Sequence, residues 1–112
     1  MGEEYVPARG DVVWLAFDPQ SGHEQMGTRP AVTLSPYPYN EKVGLALFCP
    51  ITSQVKGYPF EVALPKPFPI AGVVLSDQVK SLDWRARKAQ FIAALPDAVI
   101  AEVLGRLETL LT

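Results

Sequence analysis

Prolines set the limits on what this chain can fold into. There are eleven among its 112 residues, and a proline can neither donate to a sheet ladder nor sit inside a helix without breaking it. Together with the charged residues they cut the apolar runs to strand length, so nothing approaches the roughly 20 residues of a membrane span. Asp11 to Phe17, DVVWLAF, reads as a first strand, and Pro19 to Gly27, rich in Gly, Gln and Ser, as a long loop. Ala31 to Ser35 reads as a second strand stopped by Pro36 and Pro38, and Gly44 to Ile51 as a third, whose Pro50 implies an edge or a bulge. Phe60 to Leu64 follows a Lys56-Gly57-Tyr58-Pro59 turn, and Pro65, Pro67 and Pro69 make a stiff extended connection. Gly72 to Leu75 and Gln78 to Lys80 read as short strands, Ser81 to Arg85 as a tight helical turn and Lys88 to Ala93 as the last strand.

The pattern changes at Pro96. Beyond it Val99, Ile100, Val103, Leu104, Leu107, Leu110 and Leu111 recur at helical spacing. Pro96 is tolerated in the first turn, and Asp97 stands where the helix dipole favours an anion. The expected architecture is therefore one domain over 1–112, mainly β, a small and strongly bent sheet or barrel with a C-terminal α-helix.

Several function classes drop out at this point. A single Cys49 cannot form an intramolecular disulfide, and with one histidine, His23, there is no zinc-binding cluster and no pair of imidazoles to serve as acid and base. No metal or other cofactor is expected. Cys49 reads as a small buried apolar residue, His23 as a loop residue. The start, MGEEYVPARGD, is acidic and lacks the apolar run of a signal peptide, so a cytoplasmic protein with no membrane association is expected. A net charge of −2 argues against a general nucleic-acid coat protein. Charge is uneven, however: Lys80, Arg85, Arg87 and Lys88 face only Asp83 within nine residues, a local basic segment able to attract a polyanion, with Trp84 read as the packing that pins it.

Two stretches carry the chemistry. In Gly22 to Ser35, GHEQMGTRPAVTLS, and in Cys49 to Pro59, CPITSQVKGYP, a β-rich run meets a loop bearing one cation, one hydroxyl and small turn residues. An arginine at a strand mouth, Arg29, is a permanently charged fork of N–H donors suited to phosphate oxygens, and Thr52 would add a neutral donor. On local sequence alone, Thr52 serves equally well as a strand-end cap.

These residues resemble the MazF (PemK-like) toxins of type II toxin–antitoxin systems, which are small endoribonucleases. The resemblance runs in order through YVPARGDVVWLAFDPQSGHEQMGTRPAVTLSP, KGYPFEV and GVVLSDQVKSLDWRAR, nearly the whole chain. It implies an SH3-like barrel of the MazF/PemK/CcdB type with a C-terminal helix, assembled as a homodimer, in agreement with the strand count. Arg29 and Thr52 match the family's catalytic arginine and threonine, and Glu24 matches an acid that some members use as a base. The implied reaction is a metal-free attack of the RNA's own 2′-OH on the adjacent phosphate, leaving a 2′,3′-cyclic phosphate and a 5′-OH. The implied substrate is single-stranded mRNA, for which Trp14 and Phe17 are candidate stacking faces and Ser53, Lys56 and Gln78 candidate polar contacts. The implied regulator is a MazE-like antitoxin with a disordered acidic tail. Two other readings of the fold are a non-enzymatic CcdB-like gyrase-binding toxin and an SH3-like binding module. The first depends on a Trp-Gly-Ile type ending, where this chain has Leu110-Leu111-Thr112; the second gives no reason for Arg29 and Thr52 at facing loop mouths.

Overall fold

The computed structural model describes residues 4–16 and 27–112. It contains strands β1 (Asp11–Ala16) and β2 (Thr28–Thr33), helix α1 (Tyr37–Val43), strands β3 (Ala46–Thr52), β4 (Glu61–Ala63), β5 (Val73–Leu75), β6 (Lys80–Leu82) and β7 (Gln90–Ala94), and helix α2 (Asp97–Glu108). All pairings are antiparallel and the strand order is β4-β5-β3-β2-β1-β7, with β6 added on β3. The mainly β class with a C-terminal helix is as expected. Among the described residues β4 and β7, the ends of the path, do not pair, so the barrel is open.

The centre of the sheet is buried on both faces, which is why Asp11–Ala16, DVVWLA, carries no polar alternation after Asp11. Successive strand residues point to opposite sides, and here neighbours enter two different clusters. Val12, Val32 and Cys49 join Ile51, Val62, Val74, Ile100 and Val103 under α2. Val13, Ala31 and Phe48 join Leu15, Ala46 and Trp84 on the other side. Leu107 packs against the first cluster, so it belongs to this chain's own core, whereas Leu110 and Leu111 lie beyond α2 and are exposed.

Helix α1 is absent from the sequence reading, which took Pro36 and Pro38 only as stops. Pro36 is instead the N-cap and Pro38 lies in the first turn, where the missing N–H would have had no partner anyway. Gly44, at φ +82°, closes the helix in the left-handed conformation. The helix buries Asn40, whose amide donates to Pro7 O and Ser35 O, both at 2.9 Å, and whose Oδ1 accepts from Ser35 Oγ at 2.5 Å. The indole of Trp84, buried as expected, donates to the main-chain oxygen of Asn40 at 3.0 Å. The sixth strand lies at Lys80–Leu82, later than the Gln78–Lys80 expected, and the turn after it covers 84–88.

Candidate active site

Arg29 and Thr52 line one cleft at the end of the β2–β3 ladder. Along the β2–β3 ladder Thr33 faces Phe48, Val32 faces Cys49 and Ala31 faces Pro50, and there the pairing stops. Leu34 N–H donates to Leu47 O, so the next donors of β2 toward β3 fall on Val32 and then on Pro30. Pro30 has no N–H to give, and the two strands pair no further. Each strand is held from its other side: Arg29 pairs with Leu15 of β1, and Thr52 with Val73 of β5. The result is a cleft of about 800 Å³ between two braced strand ends.

Trp14, Arg29, Thr52, Ser53 and Gln78 all line that cleft. Arg29, Ser53 and Gln78 are exposed, while Trp14 and Thr52 are half-buried. Lys56 does not line it. It stands with Tyr58 and Glu61 on an adjoining hollow of about 410 Å³ that shares Thr52, Gln54, Leu75 and Gln78 with the main cleft. Phe17 and Glu24 lie outside the described residues.

The hydroxyl of Thr52 is oriented. Its oxygen accepts a hydrogen bond from the Gln54 N–H at 3.1 Å, which engages a lone pair and leaves the one hydroxyl proton available to donate. The turn-capping and donor readings of Thr52 are thus compatible. Gly72 fixes the height of this strand end: at φ +133° it runs so close that a Cβ there would lie 2.3 Å from the Thr52 carbonyl oxygen. A glycine in a strand interior marks such close backbone approach, and that signal was present in the sequence unused.

Three more site residues were missed by the sequence reading of the site. Lys80, Arg87 and Gln54 line the cleft. Lys80 and Arg87 were visible as part of a basic segment, but the fold divides that segment. Arg87 lines the cleft with its Nη1 donating to Ala16 O at 3.1 Å. Arg85 turns away to Glu4, at 2.5 and 2.9 Å, and stacks 4.6 Å over the Trp84 ring. That hydrogen bond holds the Glu4 carboxyl below its ordinary range and Arg85 above its own. The segment is therefore not one basic face.

Cys49 takes no part. It is fully buried, and that burial, followed by the charge of Asp77, pushes its thiol up to about 12, so the reactive thiolate is not formed at neutral pH. Among the described residues no three His, Cys, Asp or Glu side chains are grouped to hold a metal ion, and no helix is long and apolar enough to cross a membrane.

The arrangement offers a permanent cation and an oriented hydroxyl at one point, further cations along the wall, and a half-buried indole beside them. It can bind a phosphate between Arg29 and Thr52 and stabilise charge growing on its oxygens.

Known proteins resemble this chain over most of its length. A family model described as PemK-like, MazF-like toxin of type II toxin–antitoxin system matches residues 8–111. The endoribonuclease toxin MazF of Escherichia coli K12 is 56% identical over 89 residues, 80% of this chain and 79% of that protein. The endoribonuclease PemK of Escherichia coli is 36% identical over 108 residues, 93% of this chain and 81% of that one. Among solved structures, MazF from Deinococcus radiodurans superposes with a TM-score of 0.86 at 56% identity, covering 96% of this chain and 98% of the other. A MazE–MazF structure from the same organism gives 0.87 at 50% identity, covering 96% and 97%.

Proposed function

The chain belongs to the PemK-like, MazF-like toxins of type II toxin–antitoxin systems, and on that premise we propose that this endoribonuclease cuts single-stranded mRNA through 2′-OH transesterification at the Arg29–Thr52 cleft. The observation that carries the reading is that Arg29 and Thr52 line one cleft where the β2–β3 ladder ends. The phosphate between two nucleotides sits between the guanidinium fork and the threonine hydroxyl. The 2′-OH on its 5′ side attacks phosphorus, the bond to the 5′-oxygen of the next nucleotide breaks, and the products are a 2′,3′-cyclic phosphate and a 5′-OH. Negative charge grows on the non-bridging oxygens during that step, and Arg29 and Thr52 donate to them. Glu24 is proposed to take the proton of the attacking hydroxyl, because a guanidinium is too weak a base for that part. No step needs a metal ion, and the cut requires no ribosome because every group named belongs to this chain or to the RNA.

Around the scissile phosphate, Trp14 and Phe17 supply stacking faces, Ser53 and Gln78 hydrogen bonds to base edges, and Lys56, Lys80 and Arg87 phosphate contacts. A free nuclease of this kind would degrade its host's own messages, so we propose control by an antitoxin of the MazE kind, as in the solved MazE–MazF structures. Its acidic tail would occupy the cations that receive RNA. We further propose a cytoplasmic homodimer, to which the exposed Leu110 and Leu111 contribute apolar surface.

The experiment is incubation of the purified protein with a long single-stranded RNA in EDTA, followed by analysis of fragment ends. Discrete fragments with 2′,3′-cyclic phosphate and 5′-OH ends are expected. Cleavage that needs a divalent ion, or that leaves 5′-phosphates, would overturn the mechanism.

A further inference from the structure

The hollow beside the cleft has a wall that the reaction above does not use. Tyr58 is 43% exposed on the β3–β4 loop, a position where an aromatic side chain would ordinarily be mobile. Here it is tied from several directions. Its hydroxyl donates to Asp77 Oδ2, and its ring packs on Phe60 at 5.9 Å between centroids. The loop under it is pinned by Glu61, whose carboxylate accepts from the N–H groups of Lys56 and Gly57 at 2.9 and 3.0 Å. Arg106 of α2 donates to the main-chain oxygen of Pro59, which holds the same loop from outside. Asp77 keeps the phenol protonated by that hydrogen bond, raising it above its ordinary range. A solvent-exposed ring fixed by this many contacts is a preorganised stacking face, because little freedom is left to lose when a planar ligand lies on it.

Resting on the function proposed above, we propose that Tyr58 stacks a base of the bound RNA one nucleotide removed from the scissile phosphate, with Lys56 on the adjoining phosphate and Asp77 as the residue that positions the ring. Continuity commits the site to the same strand. The hollow shares Thr52, Gln54 and Gln78 with the catalytic cleft, so a strand lying across Thr52 runs on into it without crossing a barrier. A cation beside an aromatic face is also the pairing that a single-stranded nucleic acid needs, since its backbone carries charge and its bases carry π-faces.

The test starts from a cut site mapped in a long transcript. A non-cleavable oligonucleotide is made around it, with a 2′-deoxy sugar at the attacking position, and each flanking base in turn is replaced by an abasic residue. Binding to the full chain and to its Tyr58→Leu variant is followed by fluorescence anisotropy. Loss of one stacked base is expected to weaken wild-type binding by roughly five- to a hundredfold. Tyr58→Leu should weaken binding of the intact oligonucleotide by a similar factor and remove the penalty at one abasic position alone. Tyr58→Phe, which keeps the ring but loses the hydrogen bond to Asp77, and Asp77→Asn, which weakens that bond, should each retain part of the position-specific penalty, Tyr58→Phe no more than Asp77→Asn. A merely structural role would lower affinity equally at every position. Binding with no position coupled to Tyr58, while the ribose version is still cut, would overturn this subsite and leave the nuclease reading intact, even if Tyr58→Leu weakened antitoxin binding instead. A transcript left whole and an oligonucleotide left unbound would overturn both.

Discussion

The two ends of β3 are built to opposite purposes. Over Ala46–Phe48 the strand is sealed: it pairs with β2 and β6, Leu47 N–H donates to Ser35 Oγ at 2.8 Å, and the buried Asn40 and Trp84 stand behind it. Over Ile51–Thr52 the ladder to β2 has ended and the side chains line a cleft. The sequence difference is small. One end is backed by a helix presenting an amide that satisfies three partners; the other has Pro30 placed where the next β2 donor would be. Polar groups at the sealed end are spent on one another and stabilise the fold. At the open end the backbones of Arg29 and Thr52 are paired on the far side of each strand, and their side chains line the cleft. A rigid frame at one end is what allows fixed, unsealed geometry at the other.

The comparison is broken most severely at the open end by Arg29→Ala. Loss of a preorganised donor costs ~10²–10³ in rate, and a charged one should cost at least that. Thermal stability should stay near wild type, because the side chain is exposed. Gly72→Ala should come next, since the added methyl must push on the Thr52 carbonyl. Misplacement of a catalytic group by about 1 Å can cost on the order of 10²-fold, so single-turnover cleavage should fall to that extent while affinity for a non-cleavable RNA changes less.

The sealed end answers differently. Asn40→Ala removes the buried partner of Ser35 Oγ and of two carbonyls and should cost on the order of 2–3 kcal/mol, lowering the melting temperature by roughly 10 °C. Cleavage per folded molecule, measured well below that transition, should be nearly unchanged. The smallest effect sharpens the contrast within the basic segment. Lys80→Ala, at the cleft, should reduce the slope of log affinity against log salt for single-stranded RNA by about 0.7. Arg85→Ala should leave that slope as it was, because Arg85 is engaged with Glu4 and Trp84.

Much of this was legible before any coordinates. The apolar runs and their prolines place the strands to within a few residues, because burial on both faces makes the central strand β1 an almost continuous apolar run. Helix α1 was lost for an instructive reason. Pro36 and Pro38 announce the end of β2, but the same fixed φ that ends a strand also begins a helix, as the reading of Pro96 recognised at α2. The candidate site was legible as residue types, through Arg29 and Thr52, but the strand pairings that put both on one cleft join distant segments. No local pattern encodes them. For the same reason Lys56, adjacent in sequence to the catalytic stretch, is placed one hollow away, and Arg87, adjacent to the engaged Arg85, is placed in the cleft. The Gly22–Met26 stretch with Glu24 falls outside the described residues, and so does Phe17.

The central claim is that Arg29 and Thr52, which line one cleft at the end of the β2–β3 ladder, act on one phosphate. A double-mutant cycle on single-turnover cleavage of one RNA tests it, using Arg29→Ala, Thr52→Ala and the two combined. Groups that stabilise the same transition-state charge act as a unit, and their losses do not multiply. The combined variant should be slower than Arg29→Ala by well under the factor that Thr52→Ala costs on its own. Losses that multiply in full would mean that the two side chains act independently, and would contradict the claim that the end of the β2–β3 ladder is the catalytic centre.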